Sequence, residues 1–166
     1  YRPYNRFLMN TLQELHNFCL RNKLSIATAE SCTAGLLASM ITSIPGSSSF
    51  FNGGVIAYQN NIKIDVLGVS ALTIRKKTEV SSEVVEQMAT GVRDRFFSDF
   101  SIATSGYAGP SGGSKLNPVG TIFIAVSTKK KVVSKRVLLK GDRHSIVRQS
   151  VRTAVDFLMQ ELKKQY

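Results

Sequence analysis

Apolar residues recur at helical spacing in three long stretches of this chain. The first covers residues 7–22, with Phe7, Leu8, Leu12, Leu15, Phe18 and Cys19 on one face. The second starts near Ser81 and carries Val84, Val85, Met88, Ala89, Val92 and Phe96. The third runs from about Arg143 to Lys163, with Val147, Val151, Ala154, Val155, Leu158 and Leu162 facing inward. Between them lie short runs that read as strands: Leu24 to Ala29, Gly53 to Tyr58, Ser101 to Thr104, Val119 to Ser127 and Val132 to Leu139. Lys129-Lys130-Lys131 turns the hairpin between the last two. Gly35 to Ser43 and Asn61 to Leu67 read as short helices, and Pro45-Gly46-Ser47-Ser48 ends the first of these. Residues 105–118 form a glycine-rich loop. Strands and helices intermix, which predicts an α/β fold whose mixed sheet is covered by helices. No internal repeat or low-complexity segment interrupts the pattern.

The length of 166 residues suits a single domain, 1–166. With 43% hydrophobic and 20% charged residues, the chain is globular rather than disordered. No apolar run approaches the roughly 20 residues of a membrane helix. The first residues, Tyr1 to Arg6, carry charge, and no apolar region or small-residue cleavage site follows, so no secretory signal is read. A soluble, cytoplasmic protein is expected. The two cysteines, Cys19 and Cys32, form no CxxC pair, and His16 and His144 lie far apart, so neither a metal nor a cofactor is expected.

Charge adds a partner question. The net charge is +11, and the first sixty residues hold four basic and two acidic side chains, which leaves an excess of +9 for the remainder. Arg75-Lys76-Lys77, Lys129-Lys130-Lys131 and Lys135-Arg136 are the clusters. Such a charge attracts nucleic acid. No aromatic-studded basic stripe and no nucleic-acid motif accompanies it, so the lysines read as solvating turns and strand edges. Attraction for a small phosphorylated ligand fits the same charge.

Three loops that follow strands hold the candidate chemistry, as expected for open α/β sheets. In Thr28-Ala29-Glu30-Ser31-Cys32-Thr33-Ala34-Gly35, a serine sits at a strand-to-helix turn. Helix N–H groups there stabilise an oxyanion or bind an anion; Ser31 or Thr33 serves equally as a plain N-cap. Cys32 is a nucleophile in principle, with no base identifiable by spacing, and a buried thiol is inert. In Tyr58-Gln59-Asn60-Asn61-Ile62-Lys63, a desolvated Lys63 would act as a base toward a serine hydroxyl, and a solvated Lys63 would not. In the loop 105–113, glycines let backbone N–H groups approach phosphate oxygens, although neither a Walker A loop nor a GxGxxG turn is present. Arg143 suits bidentate phosphate binding, and Asp142 before it suits a helix cap.

Taken together, Thr28-Ala29-Glu30-Ser31-Cys32-Thr33, Gly46-Ser47-Ser48, Tyr58 to Lys63, Ser105-Gly106-Tyr107-Ala108-Gly109-Pro110, Pro118-Val119-Gly120 and Gly141-Asp142-Arg143 resemble the signature of the CinA C-terminal domain family, in the family's order and over nearly the whole chain. The resemblance implies a three-layer α/β/α sandwich. It implies metal-free hydrolysis of the carboxamide of nicotinamide mononucleotide, giving nicotinate mononucleotide and ammonia. Residue by residue, Ser31 resembles the nucleophile, Lys63 its base and Tyr58 the group that shuttles or orients the proton; which of the two takes the first proton stays open. Glu30, Thr33, Gly35, Ser48, Ser105, Gly106, Ala108, Gly109 and Arg143 resemble the substrate contacts. The expected partner is a small pyridine mononucleotide, with no nucleic acid and no membrane, and a homo-oligomer is expected. Larger two-domain members carry a further N-terminal domain; a stand-alone domain without that domain's activity is expected here.

Three positions depart from the pattern. Ala34 stands where a second glycine is common, and its methyl is accommodated if φ is helical. Tyr107 replaces a small aliphatic residue beside the expected pocket, and Ser111 sits where Asp or Gly is usual. A non-catalytic nucleotide-binding module is the rival reading, against which the complete Ser31/Tyr58/Lys63 set argues. A basic nucleic-acid-associated protein is the third.

Overall fold

The computed structural model describes residues 6–166, so residues 1–5, read above for a secretory signal, lie outside it. Its elements are α1 (Arg6–Asn22), β1 (Ile26–Glu30), α2 (Leu36–Ile41), β2 (Phe51–Ile56), α3 (Asn60–Leu67), α4 (Ala71–Lys77), α5 (Ser82–Arg95), β3 (Phe100–Gly106), β4 (Thr121–Thr128), β5 (Val132–Leu138) and α6 (Arg143–Lys163). The five strands form one sheet in the order β2-β1-β3-β4-β5. β1 runs parallel to both its neighbours, with Glu30 level with Ile56 on one side and Thr104 on the other. β4 is antiparallel to β3 and to β5. The sheet is therefore mixed, and helices cover both faces.

The period-2 alternation of the strands sorts the core into two halves. Ile26, Ile102, Ile122, Ile124 and Val126 point to one face, where α1, α2 and α6 bring Leu12, Leu15, Leu37, Val151, Val155 and Leu158. Ala27, Ala29, Ala103, Phe123 and Ala125 point to the other, where α5 supplies Val84, Val85, Met88, Ala89 and Val92. The second face is built of alanines, so α5 lies close to the sheet. Its other side is equally close to α3: a Cβ on Gly91 would stand 1.9 Å from the carbonyl oxygen of Leu67. Glycine weakens a helix interior by roughly 1 kcal/mol, and this contact is the reason α5 carries one.

The connection from β1 to β2 passes through α2 on the first face. The connection from β2 to β3 passes through α3, α4 and α5 and, with α5, crosses the second face. Winding thus changes sides around β1, and the crevice at its carboxyl end is where such sheets take ligands.

Some expectations shift. β3 extends to Gly106, so Ser105 and Gly106 belong to a strand and the loop begins at Tyr107. β2 ends at Ile56, two residues before Tyr58. α4 was not anticipated; it buries none of its residues and so carries no apolar signal. Phe7, assigned to the buried face of α1, is 53% exposed and lies under the guanidinium of Arg152, 4.7 Å from ring centre to Cζ. No described helix is long and apolar enough to cross a membrane.

Candidate active site

Ser31 follows the last residue of β1 and is half-buried; its N–H donates to the carbonyl of Thr104 on β3 at 3.0 Å. The neighbouring carbonyl, that of Glu30, accepts from the N–H of Ala57 at 2.7 Å. The serine is thereby held between the ends of β3 and β2. Lys63, one turn into α3, turns back toward the same point and is only 1% exposed. Its ammonium donates to Ser31 Oγ at 3.3 Å, to the Ala57 carbonyl at 2.9 Å and to the Tyr58 carbonyl at 3.3 Å. Burial pushes the Lys63 pKa down from 10.5, against the opposing field of Glu79. A lysine that has lost its proton keeps two N–H donors and gains one lone pair. With two carbonyls to receive the donors, the lone pair is left to face Ser31 Oγ.

Tyr58 is half in solvent, and its hydroxyl accepts from Arg143 at 2.8 Å, which leaves its own proton to donate elsewhere. Arg143, the first residue of α6, also donates to the Gly109 carbonyl at 2.7 Å. Gly109 has φ +80, and a Cβ there would stand 2.6 Å from Val119, so the loop closes on Arg143 only with glycine at this position. Asp142 caps α6 by accepting from the Ser145 N–H at 2.8 Å. Ser31, Tyr58, Lys63, Gly106, Ala108, Gly109 and Arg143 all line one cavity of about 210 Å³.

The other expected contacts are placed elsewhere. The Glu30 side chain is buried and turned inward. One of its oxygens accepts from the Thr33 hydroxyl at 2.6 Å and from the N–H groups of Gly35 and Leu37 at 3.0 Å each; the other accepts from the Ala38 N–H at 2.8 Å. The start of α2 is thus already filled by a carboxylate of the chain itself. The expectation that these amides would meet an oxyanion is corrected on that ground, and Glu30, Thr33 and Gly35 are supports of the turn. Thr33 in addition shares a hydrogen bond with Thr104 Oγ1 at 2.7 Å. Ser48 is exposed on a 3-10 turn, Ser47–Ser49, away from the cavity lining. Ser105 is buried and donates to the Glu79 carbonyl at 2.9 Å. Ala34 has φ +47, in the left-handed region, so the condition under which its methyl was to be accommodated is not met. Burial pushes the Cys32 thiol up to about 12, which leaves it protonated and inert as a nucleophile.

A family model described as the CinA C-terminal domain matches residues 9–162. The chain belongs to the CinA C-terminal domain family. CinA-like proteins of Fervidobacterium nodosum and Flavobacterium psychrophilum are 45% and 42% identical over 90% and 87% of this chain. The chain spans about a third of their length, 37% and 34%. The crystal structure of the competence/damage inducible protein CihA from Agrobacterium tumefaciens superposes with a TM-score of 0.92 at 32% identity, covering 96% of this chain and 98% of that one. A CinA superfamily protein from Escherichia coli gives 0.89 at 32%, covering 92% and 89%.

In this CinA domain, two cavity residues escaped the sequence reading. Glu79 and Val80 lie in the segment between α4 and α5 and complete the lining with Tyr107, Cys32 and Ser111. Tyr107 donates to Glu79 Oε1 at 3.3 Å. No linear motif flags Glu79; only the folded chain brings it beside Lys63. Among the described residues, no three of His, Cys, Asp and Glu gather as a metal site would require.

Proposed function

We propose that this domain hydrolyses the carboxamide of nicotinamide mononucleotide, with Ser31 as nucleophile and Lys63 as the base that takes its proton. The observation that carries the reading is the buried Lys63 amine, aligned by two carbonyls and 3.3 Å from Ser31 Oγ. Burial favours the neutral amine a base must be. Ser31 Oγ attacks the amide carbon while its proton passes to Lys63. The start of α2 being filled by Glu30, the developing oxyanion is stabilised by the newly formed Lys63 ammonium beside Ser31. Return of a proton to the amide nitrogen, from Lys63 or the Tyr58 hydroxyl, expels ammonia. Water then cleaves the acyl-serine by the reverse proton path, giving nicotinate mononucleotide and the free serine.

The test is ammonia release from nicotinamide mononucleotide by purified protein, with Ser31→Ala beside it. Release by the parent and a loss of several orders of magnitude in the variant, with an unchanged melting temperature, is expected. Near-normal turnover by Ser31→Ala overturns the assignment. Tight binding of the nucleotide without release by the parent indicates a non-catalytic module instead. The same reading holds that the protein works in the cytoplasm as a homo-oligomer, without a nucleic-acid or membrane partner. Light scattering and a salt titration against duplex DNA test those points, a steep salt slope being the result that would restore the nucleic-acid reading.

A further inference from the structure

Glu79 is unused by the mechanism above, yet its carboxylate faces the reaction chamber. It is half-buried, lines the same cavity as Ser31 and Lys63, and accepts from the hydroxyl of Tyr107, in the loop after β3, at 3.3 Å. Its backbone is fixed as well, because the Glu79 carbonyl accepts from the buried Ser105 hydroxyl at 2.9 Å. Its charge reaches the reacting centre, since it works against the loss of the Lys63 proton. Arg143 is a charge of the other sign on the wall of the same cavity. Both charges therefore stand on the wall of one cavity of about 210 Å³.

A pocket that offers a fixed anion and a fixed guanidinium selects a ligand carrying both charges. We propose that Glu79, positioned by Tyr107, is a specificity determinant that selects a cationic ring, while Arg143 takes the anionic end. The inference rests on the pyridine mononucleotide reading and adds to it that the reduced form, with its neutral ring, is discriminated against by Glu79. A site built to pair with a substrate charge rejects the analogue lacking it, because its own buried group is then left unpaired. Tyr107 contributes by restraining the carboxylate, and its ring keeps the wall apolar around it.

The experiment uses binding rather than turnover, because ring reduction also changes the reactivity of the amide. Calorimetry compares nicotinamide mononucleotide with its 1,4-dihydro form on the Ser31→Ala protein and on Ser31→Ala with Glu79→Gln. The carboxamide and phosphate are the same in both ligands; the ring differs in charge and in its reduced C4, and the Glu79→Gln comparison isolates the charge. The Ser31→Ala protein is expected to bind the oxidised form at least roughly 10-fold more tightly, about one charge-assisted contact. Glu79→Gln is expected to remove most of that preference by weakening the oxidised form alone. Tyr107→Phe, which keeps the ring and loses the hydroxyl, is expected to narrow the preference without abolishing it. Equal binding of the two forms to Ser31→Ala, or an unchanged preference in Glu79→Gln, overturns the role of Glu79 and leaves the mononucleotide reading intact. Binding of neither form overturns both.

Discussion

Lys63 Nζ lies 3.3 Å from Ser31 Oγ, although 32 positions separate the two residues in the chain. If Lys63 is the base, kcat/KM rises with pH through the native Lys63 pKa, which lies below 10.5. Lys63→Arg keeps the charge and does not deprotonate, so it should remove that limb and cost at least about 10²-fold. The same group links pH to stability. Between the lowered native pKa and 10.5, the unfolded chain holds a proton that the native state has released, so native stability rises with pH across that window. Below the window both states are protonated and the burial penalty is full. Urea unfolding from neutral to alkaline pH should show the rise in the parent and not in Lys63→Met; an identical slope in both would remove Lys63 as its source.

Glu30 is expected to matter for folding rather than for ligand contact. Glu30→Ala strands the N–H groups of Gly35, Leu37 and Ala38, while the Thr33 hydroxyl keeps Thr104 Oγ1. Each buried unsatisfied group costs about 1–3 kcal/mol, with incomplete additivity, so a loss of about 3–5 kcal/mol is expected. At roughly 2–4 °C per kcal/mol, the melting temperature should fall by about 10 °C. An unchanged melting temperature with a large rise in KM would return Glu30 to the ligand contacts.

Gly91→Ala tests the close approach of α3 and α5. Helix propensity alone predicts a gain of about 1 kcal/mol. The new Cβ, however, would stand 1.9 Å from the Leu67 carbonyl, and the alanine face of the sheet behind α5 leaves it no room to retreat. Overpacking of about 1–3 kcal/mol should prevail. A net destabilisation by denaturant titration is expected, and a gain would show that α3 yields freely.

Ala34→Gly should act in the opposite sense. The left-handed φ of +47 costs a non-glycine residue roughly 1–2 kcal/mol. The extra freedom of glycine in the unfolded chain returns about 0.4–1 kcal/mol of that. A small net stabilisation, on the order of 0.5 kcal/mol, should appear as a higher denaturant midpoint with an unchanged m-value; a lower midpoint would mean that the turn bears its alanine without strain.

Much of the layering was legible because periodicity and burial coincide: Val84 to Val92 and Val151 to Leu162 face the core as their spacing predicts. α4 was not legible, since Ala71 to Lys77 bury nothing and therefore repeat nothing. Ser31, Tyr58 and Lys63 were found by resemblance, and the fold brings all three to one cavity. Glu30 was misread because its sequence neighbours give no hint that its side chain turns back on the following helix. Glu79 was missed because its proximity to Lys63 arises only from how the segment after α4 is folded over the sheet.

The two carbonyls that align Lys63 belong to Ala57 and Tyr58, on the strand exit that leads directly into the lysine's own helix. Base and alignment therefore belong to one continuous segment, residues 57–63. That segment is joined to the serine's strand by the parallel β1–β2 ladder, which the Ala57 N–H on the Glu30 carbonyl continues to its end. The reactive geometry is thus set at the carboxyl end of two adjacent parallel strands, so a slip of β2 against β1 would change the nucleophile–base distance directly.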